Sequence, residues 1–231
     1  MHLKRRVCIL ALLTAPLLAG AAGLLDSLSN ADASSGLKQA LEQGATQAVA
    51  TLGTKDGFLA SDLYRIKLPK NFKTAESMLR MMGQGQMLDD LDVAMNRAAE
   101  SAVAEATPLL VGAVKQMSVQ DAKGILTGGD DSVTQYFRSK TSAALTQKFL
   151  PVVRQQTSRL QIAEQYNTLA KQGAAMGLVK PEEASVESYV TNKALDALYL
   201  RIGEEEKAIR QNPAAAVGSI AKKVFGAMGG K

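Results

Sequence analysis

Residues 37–52 read LKQALEQGATQAVATL, and their apolar side chains recur with the period of an α-helix. Positions three and four residues apart lie on the same face of a helix. The apolar members of this face are Leu37, Ala40, Leu41, Ala45, Ala48, Val49 and Leu52. Asp32, Ser34 and Ser35 offer capping side chains before the stretch, and Gly53 offers a stop after it. The stretch therefore predicts a helix with one face buried in a helical core.

The same spacing returns along most of the chain and predicts further helices. Their expected ranges are about 74–82, 87–105, 108–116, 118–127, 131–149 and 186–211, with a continuation from Pro151 to about 174 and a last helix from Pro213 to about 225. Residues 54–72 are less regular, and we expect a long connection there with one short helical or extended piece. No segment alternates as a strand does, and no shift in composition divides the chain. We therefore predict an all-α fold, a single multi-helix globular domain.

The first residues carry the three parts of a secretory signal peptide. Residues 4–6 are basic, residues 7–18 form an apolar run, and residues 19–22 are small. A membrane-spanning helix needs about 20 apolar residues, so this run is too short for one. The only cysteine, Cys8, lies inside the run rather than after it, which argues against a lipid-anchored signal.

Cleavage of this signal is expected near Ala21 or Ala22, and it would place the mature protein in the periplasm. Residues 1–22 are then the signal peptide. Residues 23–231 form the predicted helical domain, with its core at about 25–225.

Cleavage also changes the charge and the chemistry of the protein. The chain has 27 basic and 22 acidic residues, and the loss of three basic residues leaves 24 against 22, a net charge of +2. So small an excess gives no basis for nucleic acid binding, which depends on neutralising phosphates. The only histidine, His2, leaves with Cys8. The mature protein then lacks the side chains for a Ser-His-Asp or Cys-His nucleophile, a His or Cys metal site, or thiol redox chemistry. We expect no cofactor and no metal.

Several strings along the chain resemble a known family. They are LSNAD at residues 28–32, GLKQAL at 36–41, DGFL at 56–59, NRAAE at 96–100, DAKGIL at 121–126, TQYF at 134–137, VTNKALD at 190–196 and EEEK at 204–207. Together they resemble an exported bacterial family known as domain of unknown function number forty-one ninety-seven. The resemblance extends over about residues 25–225 and implies an exported protein of Gram-negative type. It implies no activity, cofactor or partner.

The first candidate site for a ligand or partner is formed by Asn96, Arg97 and Glu100 on one predicted helix. Arg97 and Glu100 are three residues apart and can form an ion pair. One interpretation is a solvated ion pair. The other is a polar network between helices, or the rim of a pocket.

The second candidate site is a loop at residues 124–136, which contains Gly128 and Gly129. Polar residues on turns between rigid helices are common binding groups. Those near this turn are Asp121, Lys123, Asp130, Thr134 and Tyr136. The alternative is a capped helix–turn–helix, in which Ser118 and Asp121 form a capping box and Asp130 or Asp131 caps the next helix. Adjacent aspartates do not fit an EF-hand calcium loop.

Methionines provide a third feature, because Met78, Met81 and Met82 share one helical face. Such a stripe is expected in the core. The alternatives are an adaptable groove for apolar partners and a thioether site for monovalent copper.

The last predicted helix has an apolar face flanked by Lys222 and Lys223. This helix either covers the core or lies on an anionic membrane surface, which would give peripheral membrane association.

These observations favour a non-enzymatic protein that binds an apolar ligand, a lipid surface or an envelope protein partner. The rival hypothesis is a carboxylate-based hydrolase of an envelope polymer, which needs two carboxylates in one cleft. The candidates for that pair are Glu100, Asp121, Asp130, Asp131, Asp196 and Glu204.

Overall fold

The structure, a computed structural model, describes residues 30–129 and 131–212. Its α-helices are α1 (Asn30–Leu52), α2 (Lys73–Met81), α3 (Gly85–Ala104), α4 (Thr107–Lys115), α5 (Val119–Thr127), α6 (Ser132–Thr157), α7 (Gln161–Ala175) and α8 (Val186–Gln211). Short 3-10 turns occupy Lys70–Phe72 and Pro181–Glu183. None of the described residues lies in a strand, so the predicted all-α single domain is confirmed. The expected signal peptide and last helix lie outside the described residues.

The core is formed by helices α1, α3, α6 and α8, which pack against one another. The predicted apolar face of α1 is buried as expected. Phe137, Phe149 and Leu145 of α6 and Tyr199 of α8 are fully buried between these helices. Full burial of a large apolar side chain contributes about 1.5–3 kcal/mol, so this contact set supplies much of the stability.

Helices α4 and α5 cover α1 at one end of the core. The end of α1 lies very close to α3, because a Cβ atom on Gly53 would be 2.8 Å from the Cα atom of Ala104. Only glycine allows this approach without moving one of the two helices.

The break between α6 and α7 differs from the prediction. We expected a kink or a new start at Pro151, but Pro151 lies inside α6, and the helix continues to Thr157. Leu160 then has an extended backbone before α7 begins. Thr157 is buried, and its hydroxyl lies within hydrogen-bond distance of two acceptors, the carbonyl of Val153 at 3.1 Å and the carboxylate of Glu187 of α8 at 3.3 Å. The helix therefore continues past the proline and ends at a buried residue that contacts α8.

Helix α2 differs from the core helices because none of its residues is buried. It packs on α3, to which it is joined by a turn at residues 82–84. Gly83 in this turn has a φ angle of 79°, a conformation that side chains other than glycine rarely adopt. Among the described helices, none is long and apolar enough to cross a membrane.

Candidate functional site

Glu100 is the centre of a buried polar network. Its side chain is 4% exposed, and its Oε1 atom accepts hydrogen bonds from the N–H groups of Phe58 and Leu59, both at 3.1 Å. Its Oε2 atom accepts from Arg97 at 2.7 Å, and Arg97 also contacts Asp56 at 2.8 Å. Charge-assisted hydrogen bonds to a carboxylate are among the strongest in proteins. Glu100 of helix α3 therefore holds Phe58 and Leu59, in the connection that follows α1, against α3.

Asn96, one turn earlier in α3, forms hydrogen bonds to the same connection. Its Oδ1 atom accepts from the N–H of Ile66 at 2.8 Å, and its amide group donates to the carbonyl of Ile66 at 3.0 Å. Asn96 is fully buried, so its polar atoms need these partners. The network predicted for Asn96, Arg97 and Glu100 joins a helix to a non-helical segment rather than to another helix. A solvated ion pair is wrong for Glu100, which is buried.

The second candidate site is divided between two helices. Gly124 lies in α5, and both Thr134 and Tyr136 lie in α6, as the predicted helical ranges 118–127 and 131–149 require. The connection between the two helices is limited to residues 128–131, so most of the segment named as a loop is helical. Asp130 lies outside the described residues.

Asp121 forms the predicted capping box. Its carboxylate accepts hydrogen bonds from the N–H of Ser118 at 3.0 Å and from the Ser118 hydroxyl at 2.8 Å, and that hydroxyl in turn accepts from the N–H of Asp121. These hydrogen bonds, and the charge of Lys140 at 3.7 Å, lower the pKa of Asp121. The carboxylate caps α5, while the side chain of Lys123 on the same helix is exposed.

Tyr136, a candidate binding residue near this turn, is buried in the core. It is 8% exposed, and its hydroxyl donates to the carbonyl of Ala113 in α4 at 2.8 Å. Burial, and then the charge of Asp121, raises the pKa of Tyr136 to about 12, so the hydroxyl remains a donor at neutral pH. Thr134 is partly buried, and its hydroxyl donates to the carbonyl of Tyr199. Both side chains join α6 to neighbouring helices.

The carboxylates named for the hydrolase hypothesis have separate partners. Asp131 occupies the N-cap position of α6, but its side chain makes no capping hydrogen bond and instead accepts from the side chain of Gln135. Asp196 pairs with Arg138 at 3.0 Å. Glu204 accepts from Tyr64 and from Arg201. With Glu100 and Asp121 engaged as described above, each of the five described carboxylates has structural contacts of its own. Among the described residues, no three His, Cys, Asp or Glu side chains are placed to hold a metal ion.

An apolar cavity of about 200 Å³ lies between α2, α3 and α7. Its wall is almost entirely apolar. The lining residues are Leu68, Phe72, Ala75, Glu76, Met78, Leu79, Leu88, Leu91, Ile162, Gln165, Tyr166 and Leu169. Leu88, Leu91, Ile162 and Tyr166 are buried in the core, whereas Met78 and Leu169 are more than half exposed. The cavity therefore runs from the core to the surface.

Helix α2 supplies the outer wall of this cavity. Ala75, Met78 and Leu79 line it, while Met81 and Met82 are exposed at the surface. The expectation of a methionine stripe in the core is wrong for this helix. Because α2 contacts the domain mainly through α3, its apolar face covers a cavity and not the packed interior. The sequence signal was the spacing of Phe72, Ala75 and Leu79, but a single amphipathic pattern does not show what it covers.

The structure is thus a helical domain with an apolar cavity that opens at its surface. The chain belongs to the family described as Protein of unknown function (DUF4197), which matches residues 27–226. The resemblance seen in the sequence is confirmed. No curated protein and no solved structure matches the chain.

Proposed function

We propose that this protein is located in the periplasm and binds an apolar ligand in the cavity between α2, α3 and α7. The observation that carries the proposal is a cavity with an almost entirely apolar wall that reaches the surface beside exposed methionines. Methionine side chains are flexible and polarisable, and they are common on surfaces that adapt to apolar ligands.

The size of the cavity favours a single hydrocarbon chain. Sites for drug-sized ligands have volumes of about 300–1,000 Å³, and this one has about 200 Å³. An apolar space of this size suits one acyl chain better than a whole two-chain lipid.

The polar groups near the cavity do not supply a reactive site. Glu76 lines the cavity, but its carboxylate accepts from Arg80 at 3.3 Å. Arg80 also contacts Asp89 of α3 at 2.9 Å, which attaches α2 to α3 at the surface. These contacts favour binding over the carboxylate hydrolase hypothesis, because the carboxylate at the site already has a structural partner.

Calorimetric titration of the purified full-length chain with decanol tests this proposal. Ala75→Phe would fill part of the cavity, and we expect it to weaken decanol binding by about tenfold or more, a loss of about 1.4 kcal/mol. The matched control is Ala143→Phe, at an exposed position of α6 outside the cavity, which should bind as the unaltered chain does. No saturable binding of decanol, or equal binding by both variants, would contradict the proposal.

A further inference from the structure

A basic groove shares the side chain of Leu68 with the apolar cavity. This groove has a volume of about 720 Å³. Its cationic lining residues are Arg65, Lys67, Lys70, Lys73 and Lys193. Leu68 therefore separates an apolar space from a basic one.

Most of the positive charge in the basic groove has no ion-pair partner. Arg65 pairs with Asp92 at 2.5 Å. The four lysines of the groove form no ion pair with any described residue, and each is exposed. Glu183 is the one acidic side chain in the described lining of the groove. The groove thus has an excess of positive charge that faces solvent.

The groove is attached to the core through Tyr189 of α8. The Tyr189 hydroxyl donates to the carbonyl of Lys67 at 2.7 Å, and the ammonium group of Lys193 lies 5.7 Å from the centre of the Tyr189 ring. These contacts hold the segment that contains Lys67 against α8. The lysines therefore extend from an ordered surface that also borders the cavity.

A third cleft, of about 560 Å³, borders both spaces and also contains Lys67 and Lys73. Three of its carboxylates have arginine partners. Asp92 pairs with Arg65, and both Glu76 and Asp89 pair with Arg80. Asp62 is the exposed acid that remains. Arg65, Lys67 and Lys73 are thus the cations common to both clefts beside the cavity, and of these three Arg65 is paired with Asp92, while the two lysines form no ion pair with any described residue.

We infer that the ligand is a single-chain amphiphile with an anionic head group, whose chain occupies the apolar cavity and whose head contacts Lys67 and Lys73. This inference rests on the proposed function, because it assumes that the hydrocarbon chain of the ligand lies in the cavity. Lys70 and Lys193 extend the same positive surface along the basic groove. A ligand of this kind can place its apolar chain in the cavity and its charged head group beside the lysines at the same time, because the two ends are covalently joined.

The experiment compares decanoate with decanol, which have chains of the same length and differ in head-group charge at neutral pH. We expect decanoate to bind more tightly than decanol, and its advantage to fall as salt is added, because the lysines are exposed. The double variant Lys67→Gln/Lys73→Gln should weaken decanoate binding by about tenfold and leave decanol binding unchanged. The matched control is Lys115→Gln/Lys123→Gln, which removes the same charge from exposed positions outside the groove.

The possible failures are distinguishable. Equal affinities for decanoate and decanol, with no effect of the lysine variant, would contradict this inference and leave the apolar site intact. If Ala75→Phe did not weaken decanoate binding, the acyl chain would not lie in the cavity, and the proposed function would be contradicted as well. Co-sedimentation with vesicles of phosphatidylglycerol and phosphatidylcholine that Lys67→Gln/Lys73→Gln abolishes and Ala75→Phe does not change would mean that these lysines recognise a bilayer surface, and would also contradict the inference.

Discussion

The ring of Phe72 stacks on the ring of Tyr166, with the ring centroids 4.4 Å apart and the ring planes 19° from parallel. Both rings line the apolar cavity, and the Tyr166 hydroxyl donates to the carbonyl of Glu183 at 3.1 Å. The stacking attaches the start of α2 to α7. The turn at residues 82–84, which contains Gly83, joins the other end of α2 to α3. Helix α2 is thus held at both ends and has no buried residue between them.

The network around Glu100 predicts a large loss of stability when the carboxylate is removed. Glu100→Ala leaves the N–H groups of Phe58 and Leu59 without their acceptor, and we expect unfolding free energy to fall by about 2–4 kcal/mol. Glu105→Ala, at the C-cap position of the same helix, removes an exposed ion pair with Lys148 and should cost no more than about 1 kcal/mol. Urea denaturation of both variants measures the difference, and equal losses would contradict the role given to Glu100.

Tyr136→Phe removes one hydrogen bond from the core without changing the ring. We expect a loss of about 1 kcal/mol, because the carbonyl of Ala113 loses its donor. Lys123→Ala, at an exposed position of α5, should change stability by no more than about 0.5 kcal/mol. Thermal denaturation of the two variants compares them. An unchanged melting temperature for Tyr136→Phe would contradict a stabilising role for this hydrogen bond.

The lowered pKa of Asp121 predicts that the stability of the fold depends on pH. Its folded-state pKa lies below the ordinary value, because Ser118 and Lys140 favour the charged form. The carboxylate therefore stabilises the fold fully above the ordinary aspartate pKa of about 3.9, and this contribution is lost as the pH falls through the lower folded-state value. Melting temperatures of the unaltered chain and of Asp121→Asn should differ most above about pH 5 and converge in acid. A gap that stays constant down to strongly acidic pH is the contrary outcome.

Gly83 predicts a backbone effect at the turn between α2 and α3. Gly83→Ala places a side chain at a φ angle of 79° and should lower stability by about 1–2 kcal/mol, although no atom lies within 4 Å of the new Cβ. Gly124→Ala is the control, because this glycine lies inside α5 with equally open surroundings, and alanine there should stabilise by about 0.5–1 kcal/mol. Changes of the same sign in both variants would contradict the conformational explanation.

Local patterns predicted the helices well, because their signals lie close together in sequence. The capping residues Ser118 and Asp121 are three positions apart, and α8 has the predicted bounds. The partners of Glu100 could not be predicted in this way, because Phe58 is 42 residues from it along the chain. The end of α6 was likewise missed, because the local signal, Pro151, lies inside the helix, which continues to Thr157.

The cavity could not be predicted for a related reason. The sequence showed that Met78 lies on an apolar helix face, and a buried face was the expected outcome. Whether such a face meets a packed surface or an open space depends on where α3 and α7 place Leu88 and Ile162. That placement comes from the whole fold and leaves no local signal.

Nuclear magnetic resonance of isotope-labelled methionine methyl groups tests the proposed acyl-chain site most directly. Met78 lines the cavity, whereas Met176 is 66% exposed and lies outside its lining, and Met78→Leu and Met176→Leu assign the two signals. During titration with decanoate, we expect the Met78 signal to shift to saturation and to show Overhauser contacts with the chain, while Met176 stays in place. A Met78 signal that does not move, or one that drifts together with Met176 in proportion to added decanoate, would contradict an acyl chain in this cavity.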